Sequence, residues 1–253
     1  MSRQRFEGFS PQLFEFFREL AINNNKSWFD EHRSLYQTQV LDCVKSLVAD
    51  FGIIMRLLNE ELESEPRVGR TISRINNDIR FHKNRPAYRH FMYVSFPRRN
   101  TKWTSEALLY IGIYPHGVGV GFYPGGYTKP RKAPLQESIK GNLRLFQRYL
   151  DERLIAEKYS ELTDGEAGEI KKWPLPSRAR KWVNLENFSV GEYFEADEVI
   201  QMGRKFLDCA QKIILDVYPL WLFAMSENVK EDYELYEENV ELLARPLSKA
   251  AGE

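Results

Sequence analysis

Apolar residues recur at helical spacing at both ends of the chain and at a period of two between them, which predicts helices, then strands, then helices. Ser10 and Pro11 are suited to the N-cap and the first turn of a helix, with Phe9 and Phe14 placed to staple the cap. Leu13, Phe14, Phe16, Phe17 and Leu20 form its apolar face. Asn23-Asn24-Asn25 is expected to end that helix and cap the next, because Asn tolerates left-handed backbone and its side chain accepts from free amides. Phe29, Tyr36, Val40, Cys43, Leu47, Phe51, Ile54 and Leu58 then mark one long helix, with Gly52 a candidate bend. This helical N-terminal part covers about 10–62.

The period then becomes two. Residues 71–82, 91–96, 107–114 and 118–123 read as strands, the last pair joined at Pro115-His116-Gly117, and such short connections favour antiparallel pairing. Pro124-Gly125-Gly126 and the proline-rich 129–134 read as loop. Leu143, Phe146, Leu150 and Leu154 restore the helical period over 135–160. Breaks are expected at 163–168 and 173–176, and a short strand at 182–185. A helix from Ala196 carries Phe206, Ala210, Ile213 and Val217 inward, with Pro219 expected to end or kink it. An acidic helix at 231–243 follows. The order predicts a single α+β domain over 1–253, with an antiparallel cluster of about 4–6 strands at about 70–125 and a helical C-terminal part at about 135–243.

Composition narrows the function classes. The 253 residues are 43% hydrophobic, enough for a large core, and 36 basic residues balance 36 acidic ones. Zero formal charge argues against a protein dedicated to coating a polyanion. No apolar signal region follows Met1, and the most apolar stretch, 218–225, is too short to span a bilayer, so no membrane partner is expected. Cys43 and Cys209 show no metal-ligand spacing. Reduced thiols and a cytoplasmic location follow from that usage. Charge is nonetheless segregated. Between 66 and 103 all charged residues but Asp78 are basic, a local +9, whereas 226–243 holds seven acids against Lys230.

The chemistry-bearing segment is 71–83. If extended, it sends Arg74, Asn76, Asp78, Arg80 and His82 to one face and Ile75, Ile79 and Phe81 to the other. A solvated sheet face gives the same alternation, but arginines bracketing one acid also suit bidentate recognition of phosphate or carboxylate. Asp78 is expected as their counter-ion: flanking guanidinium groups favour its charged form, the wrong direction for a base near neutral pH. Lys26 at a helix start and Arg33 two turns on are further anion contacts, and Tyr88 a wall of the same site. The alternating Gly117, Gly119 and Gly121 lack the spacing of a nucleotide loop and leave one strand face bare for a close neighbour. No triad, P-loop or zinc motif is present, so no metal or cofactor is implied.

Three separated motifs carry a resemblance: Phe6-x-Gly8-Phe9-Ser10; Asn24-Asn25-Lys26-x-Trp28-Phe29 with Arg33 and Tyr36; and Arg74-Ile75-x-x-Asp78-x-Arg80-Phe81-x-Lys83 with Tyr88. Together they resemble the uncharacterised bacterial and fungal family called domain of unknown function 2461. The chain departs from that pattern at Asn77 and at Asn84-Arg85. The resemblance implies a compact α+β protein and brings no activity, substrate or cofactor with it. The residues themselves favour binding of an anionic small molecule, phosphorylated or carboxylated, with or without turnover. Single-stranded nucleic acid is the first alternative, since Tyr88, Phe91, Tyr93 and Trp103 interleave with Arg98, Arg99 and Lys102. A non-catalytic interaction module docking through the acidic helix is the second.

Overall fold

The computed structural model describes residues 5–78, 86–101, 106–125, 129–164, 169–185 and 188–247, with the backbone alone for 129–133 and 164. Helices α1 (Pro11–Ile22), α2 (Lys26–Glu31), α3 (Arg33–Leu35) and α4 (Asp42–Leu58) come first. Strands β1 (Met92–Ser95), β2 (Leu108–Tyr114) and β3 (Gly117–Tyr123) follow, then helices α5 (Lys129–Gly141), α6 (Leu143–Glu152) and α7 (Ile155–Lys158). The remainder is β4 (Ser160–Asp164), β5 (Ile170–Pro174), α8 (Ala179–Trp182), β6 (Val190–Glu195), α9 (Ala196–Met202), α10 (Phe206–Met225) and α11 (Val229–Leu243). The strands form one six-stranded antiparallel sheet in the order β1-β2-β3-β6-β4-β5. The fold is α+β, with helices before, within and after an antiparallel sheet. No helix among the described residues is long and apolar enough to cross a membrane.

Local chemistry sets the N-terminal helices. The Ser10 hydroxyl accepts the Leu13 N–H at 3.3 Å, Pro11 opens α1, and the rings of Phe9 and Phe14 lie 6.0 Å apart, so cap and staple are both present. Asn23 ends α1, and the Asn25 side chain accepts from Trp28 N–H at 3.0 Å to start α2. The long helix expected after it is instead interrupted by a π-helical turn at Tyr36–Leu41 before α4 begins. Gly52 does not break α4. A side chain there would meet the Ser64 backbone, so the glycine lets the 61–71 loop lie directly on the helix.

A polar clasp ties residue 6 to α4 and to the turn at Gly203–Lys205 that leads into α10. The Asp50 carboxylate accepts the Phe6 N–H (3.1 Å) and the Arg204 guanidinium (2.8 Å), and the same Arg204 nitrogen donates to the Phe6 carbonyl (2.7 Å). Beside it Gly8, at φ +126°, packs so closely on Gly203 that a Cβ would lie 2.7 Å from its Cα.

The sheet presents two unlike faces. Leu109, Ile111 and Ile113 of β2 and Val118, Val120 and Phe122 of β3 point into the main core, which α10 covers. The opposite face carries the glycines. Tyr93, Gly112, Gly119 and Tyr193 lie in one row across β1, β2, β3 and β6. The bare positions are filled by tyrosine rings lying along the sheet. A Cβ on Gly112 would sit 2.8 Å from the Tyr114 ring, and one on Gly117 2.7 Å from the Tyr193 hydroxyl. At Gly112 and Gly119 the close neighbour is therefore aromatic, whereas a Cβ on Gly117 or Gly121 would first meet a backbone carbonyl of β6. Tyr114, Tyr193 and Leu162 form a second small cluster, with Phe91, Tyr93 and Ile170 packed against it.

Several elements differ from the sequence expectation. Residues 71–78 form no regular strand, although they run antiparallel to 87–95. Ser73 N–H donates to the Tyr93 carbonyl (2.8 Å) and Arg89 N–H to the Ile75 carbonyl (2.7 Å), with isolated bridges at Ile72–Val94 and Asn76–Tyr88. The register shifts by two residues between those hydrogen bonds, and this bulge interrupts the ladder. The proline-rich 129–134 is the start of α5, where Pro130 falls in the first turn and needs no N–H partner. Residues 179–182, overlapping the expected strand at 182–185, are the helix α8. Breaks expected at 163–168 and 173–176 fall on or beside β4 and β5, a hairpin with mostly exposed side chains on β5.

Pro219 neither ends nor replaces a turn of α10, which runs on to Met225. Lacking an N–H, it frees the Leu215 carbonyl four residues earlier, and the Tyr236 hydroxyl of α11 donates to that oxygen at 2.7 Å. The Tyr149 hydroxyl donates to the neighbouring Asp216 carbonyl at 3.1 Å.

Cys43 and Cys209 are free and half-buried. Burial pushes the Cys43 thiol up to about 12, and Cys209 is raised as well, first by burial and then by Glu198. Since only thiolate reacts, both are expected to label far more slowly with iodoacetamide at pH 8 in the native protein than in urea. Equal native and denatured rates would contradict this placement.

Candidate functional site

Two stretches distant in sequence meet beside the C-terminal half of α4. Glu63 N–H donates to the Pro97 carbonyl (2.8 Å), Arg99 N–H donates to the Glu61 carbonyl (2.8 Å), and Leu62 bridges Arg98, all antiparallel. Asn100 then reverses the chain at φ +63°, a left-handed turn that asparagine tolerates. A second turn closes at 67–72, where Gly69 adopts φ +86° and donates to the Ile72 carbonyl at 2.7 Å. The buried Thr71 hydroxyl secures it by accepting the Arg67 N–H (3.0 Å) and donating to the Glu65 carbonyl (2.5 Å).

Between these turns lies a half-open cavity of about 620 Å³, lined by Arg56, Glu63, Ser64, Glu65, Arg67, Arg70, Arg99, Asn100 and Thr101. That is the size range of small-molecule sites, but every lining side chain among the described residues is charged or polar. The four arginines are not equivalent. Arg56 donates to the Ser64 hydroxyl (2.9 Å), and Arg70 spans the basin edge to the carbonyls of Thr101 (2.6 Å) and Arg98 (3.4 Å). These two are committed to the wall. Arg67 and Arg99 have exposed side chains, and their guanidinium groups make no hydrogen bond or ion pair among the described residues. The adjacent Arg98 is different again, paired through Nε to the buried Glu106 at 2.8 Å.

The residues singled out in the sequence lie elsewhere. Tyr88 is buried, its ring stacked on Phe29 at 4.2 Å. Asn24 grips its backbone twice, donating to the Tyr88 carbonyl (2.8 Å) and accepting its N–H (2.9 Å). Burial and then Asp30 raise the Tyr88 hydroxyl, opposed by Arg33. Arg33 pairs with Asp30 and lies 5.2 Å over the Phe29 ring. Arg33, Phe29, Tyr88 and Asn76 thus gather where α2 meets the 71–78 segment, with Asn76 joined through its backbone bridge to Tyr88. Lys26 is exposed in the first turn of α2. Arg74, Asn76 and Asp78 are exposed and alternate with the more buried Ser73, Ile75 and Asn77. Arg80 lies outside the described residues, as do His82 and Trp103. The cavity is lined by none of Lys26, Arg33, Arg74, Asn76, Asp78 or Tyr88. Arg74 comes nearest to it in the chain's path, its guanidinium resting on Gly69 within the 67–72 turn.

Arg67, Arg70 and Arg99 fall within the basic stretch of the sequence, where nothing joins them to Arg56 or Glu63. The available signal was the acid-rich Glu60-Glu61-Leu62-Glu63-Ser64-Glu65 immediately before an arginine run, a pattern that asks for pairing across a turn. Among the described residues no group of three or more His, Cys, Asp and Glu side chains converges as metal ligands.

A family model described as "Conserved hypothetical protein (DUF2461)" matches residues 12–223, which include the whole basin. No curated protein matches the chain.

Proposed function

We propose that this chain, which belongs to the DUF2461 family of conserved hypothetical proteins, binds an anionic small molecule in the arginine-lined basin. The observation that carries the reading is the pair of exposed guanidinium groups, Arg67 and Arg99, facing one cavity with no partner among the described residues. A guanidinium offers a planar fork of donors matched to phosphate or carboxylate oxygens, and the hydrogen-bonded turns fix the backbone from which two such forks project. Arg74, on Gly69, adds positive charge beside them. Lys26 adds a further exposed charge at the start of α2, and Asn76 and Asp78 lie on the exposed face of 71–78, with Asp78 as a counter-ion there. Arg33 of α3 and Tyr88, which precedes β1, support that face through Phe29 of α2. Two free thiols on separate helices support a reducing, cytoplasmic setting.

Titration calorimetry at low ionic strength with inorganic phosphate and with citrate tests the reading. Charge-assisted hydrogen bonds contribute roughly 1.5–3 kcal/mol each, so Arg67→Ala and Arg99→Ala are each expected to weaken binding by about tenfold or more. Equal affinity in the wild type and the double variant would remove the basin as the site.

A further inference from the structure

The basin contains one feature that anion binding leaves without a role. Glu63 is 9% exposed and lines the cavity, yet its carboxylate makes no ion pair among the described residues, although four arginines line the same space. Its one hydrogen bond is a long one, with Oε1 accepting the Glu65 N–H at 3.3 Å. A carboxylate has about four acceptor positions, and a buried one is costly unless they are used. Among the described residues no Glu63 oxygen is both fully buried and unpartnered, so the remaining acceptors of this cavity-lining carboxylate are open to solvent or to a ligand in its place.

On the anion-binding reading above, we infer that the ligand is a phosphorylated polyol, a molecule of the sugar-phosphate class. Its phosphate is held by Arg67 and Arg99, and a hydroxyl group donates to Glu63. Charge supports the phosphate: four guanidinium groups against the carboxylates of Glu63 and Glu65 leave the basin at +2. A phosphate monoester, at about −1.5 to −2 near neutral pH, complements that better than a single carboxylate. Charge also selects the donor. An ammonium group would meet the same arginines that hold the phosphate, whereas a neutral hydroxyl is not repelled. The wall supports the polyol. Among the described residues no aromatic or aliphatic side chain lines the cavity, whereas Ser64, Asn100 and Thr101 offer further partners to hydroxyl groups.

The test compares four probes by calorimetry on the full chain: inorganic phosphate, glucose 6-phosphate, glucose and phosphoethanolamine. Glucose 6-phosphate is expected to bind at least tenfold more tightly than inorganic phosphate, and glucose weakly. Glu63→Gln, which keeps an oxygen for the Glu65 N–H, is expected to bring that ratio close to one while leaving phosphate binding equal or stronger. Arg99→Ala, at an exposed position, is expected to weaken both phosphates together and keep their ratio, a check that does not depend on Glu63→Gln folding. Equal affinity for phosphate and glucose 6-phosphate in the wild type would overturn the polyol and leave anion binding intact. Preference for phosphoethanolamine would replace the hydroxyl by an ammonium group and overturn the polyol. Silence from all the phosphates would remove both readings.

Discussion

Asp50→Ala is expected to lower the stability of the fold by roughly 3–5 kcal/mol, the cost of removing one partner from a buried ion pair. The clasp qualifies as buried: the side chains of Asp50 and Arg204 are only 12% and 19% exposed. The carboxylate also has two duties, since it accepts the Phe6 N–H as well as Arg204. Its loss removes the carboxylate opposite the Arg204 guanidinium and the acceptor of the Phe6 amide, and weakens the polar anchor at the start of the chain, where Phe6 packs on Phe9 and Phe206. Urea unfolding at pH 7 reads the effect as a lower midpoint at an unchanged slope. The paired apolar variant Asp50→Leu with Arg204→Met is expected to recover much of the loss, because it leaves no charge unpaired. A single variant within 1 kcal/mol of wild type would show that the clasp contributes little.

Gly121→Ala is expected to cost stability on a similar scale. Gly121 of β3 pairs directly with Gly191 of β6, and a Cβ on either would fall inside the envelope of a backbone carbonyl on the other strand, Val190 for one and Val120 for the other. Backbone cannot swing aside as a side chain can, so one methyl group must separate two strands at the centre of the sheet. Overpacking costs typically 1–3 kcal/mol when side chains can adjust, and the outcome here is expected at or beyond the upper end of that range. Gly141→Ala is the control. Its Cβ meets nothing within 4 Å at the end of α5, so it is expected to gain about 0.4–1 kcal/mol through reduced freedom of the unfolded chain. Thermal melts of the two variants beside wild type should move in opposite directions. A Gly121→Ala protein melting with wild type would mean that β3 and β6 are not so closely apposed.

Legibility in the sequence followed the range of the interaction. Ser10, Pro11 and Asn25 act within a few residues, and their caps were readable from identity alone. Strands β2 and β3 were readable because Val118, Val120 and Phe122 alternate with glycines across a short turn. Strand β5 was not, since Lys171, Lys172 and Trp173 are exposed and leave no buried alternation to detect. Strand β6 is a strand because β3 accepts Gly191 at close range, a property of two chain segments rather than one. At the site, the arginines were visible as charge. Their partition into wall and ligand contacts was not, because it depends on residues 61–63 pairing with 97–99. Tyr88 was noticed for its type but placed by Asn24, sixty-four residues away.

The proline in α10 makes the chain's last helix a debtor to nothing and a creditor to the core. Residues 12–223, the span shared with the family, include Pro219 and the acceptor it liberates, but not the Tyr236 hydroxyl that occupies it. A chain cut after Phe223 would keep the break in the helical ladder and lose its splint. The boundary of the shared segment is therefore a poor place to trim this protein for expression, and a cut after Leu247 a better one, since Gln211 of α10 also donates to the Leu243 and Arg245 carbonyls and accepts the Leu247 N–H.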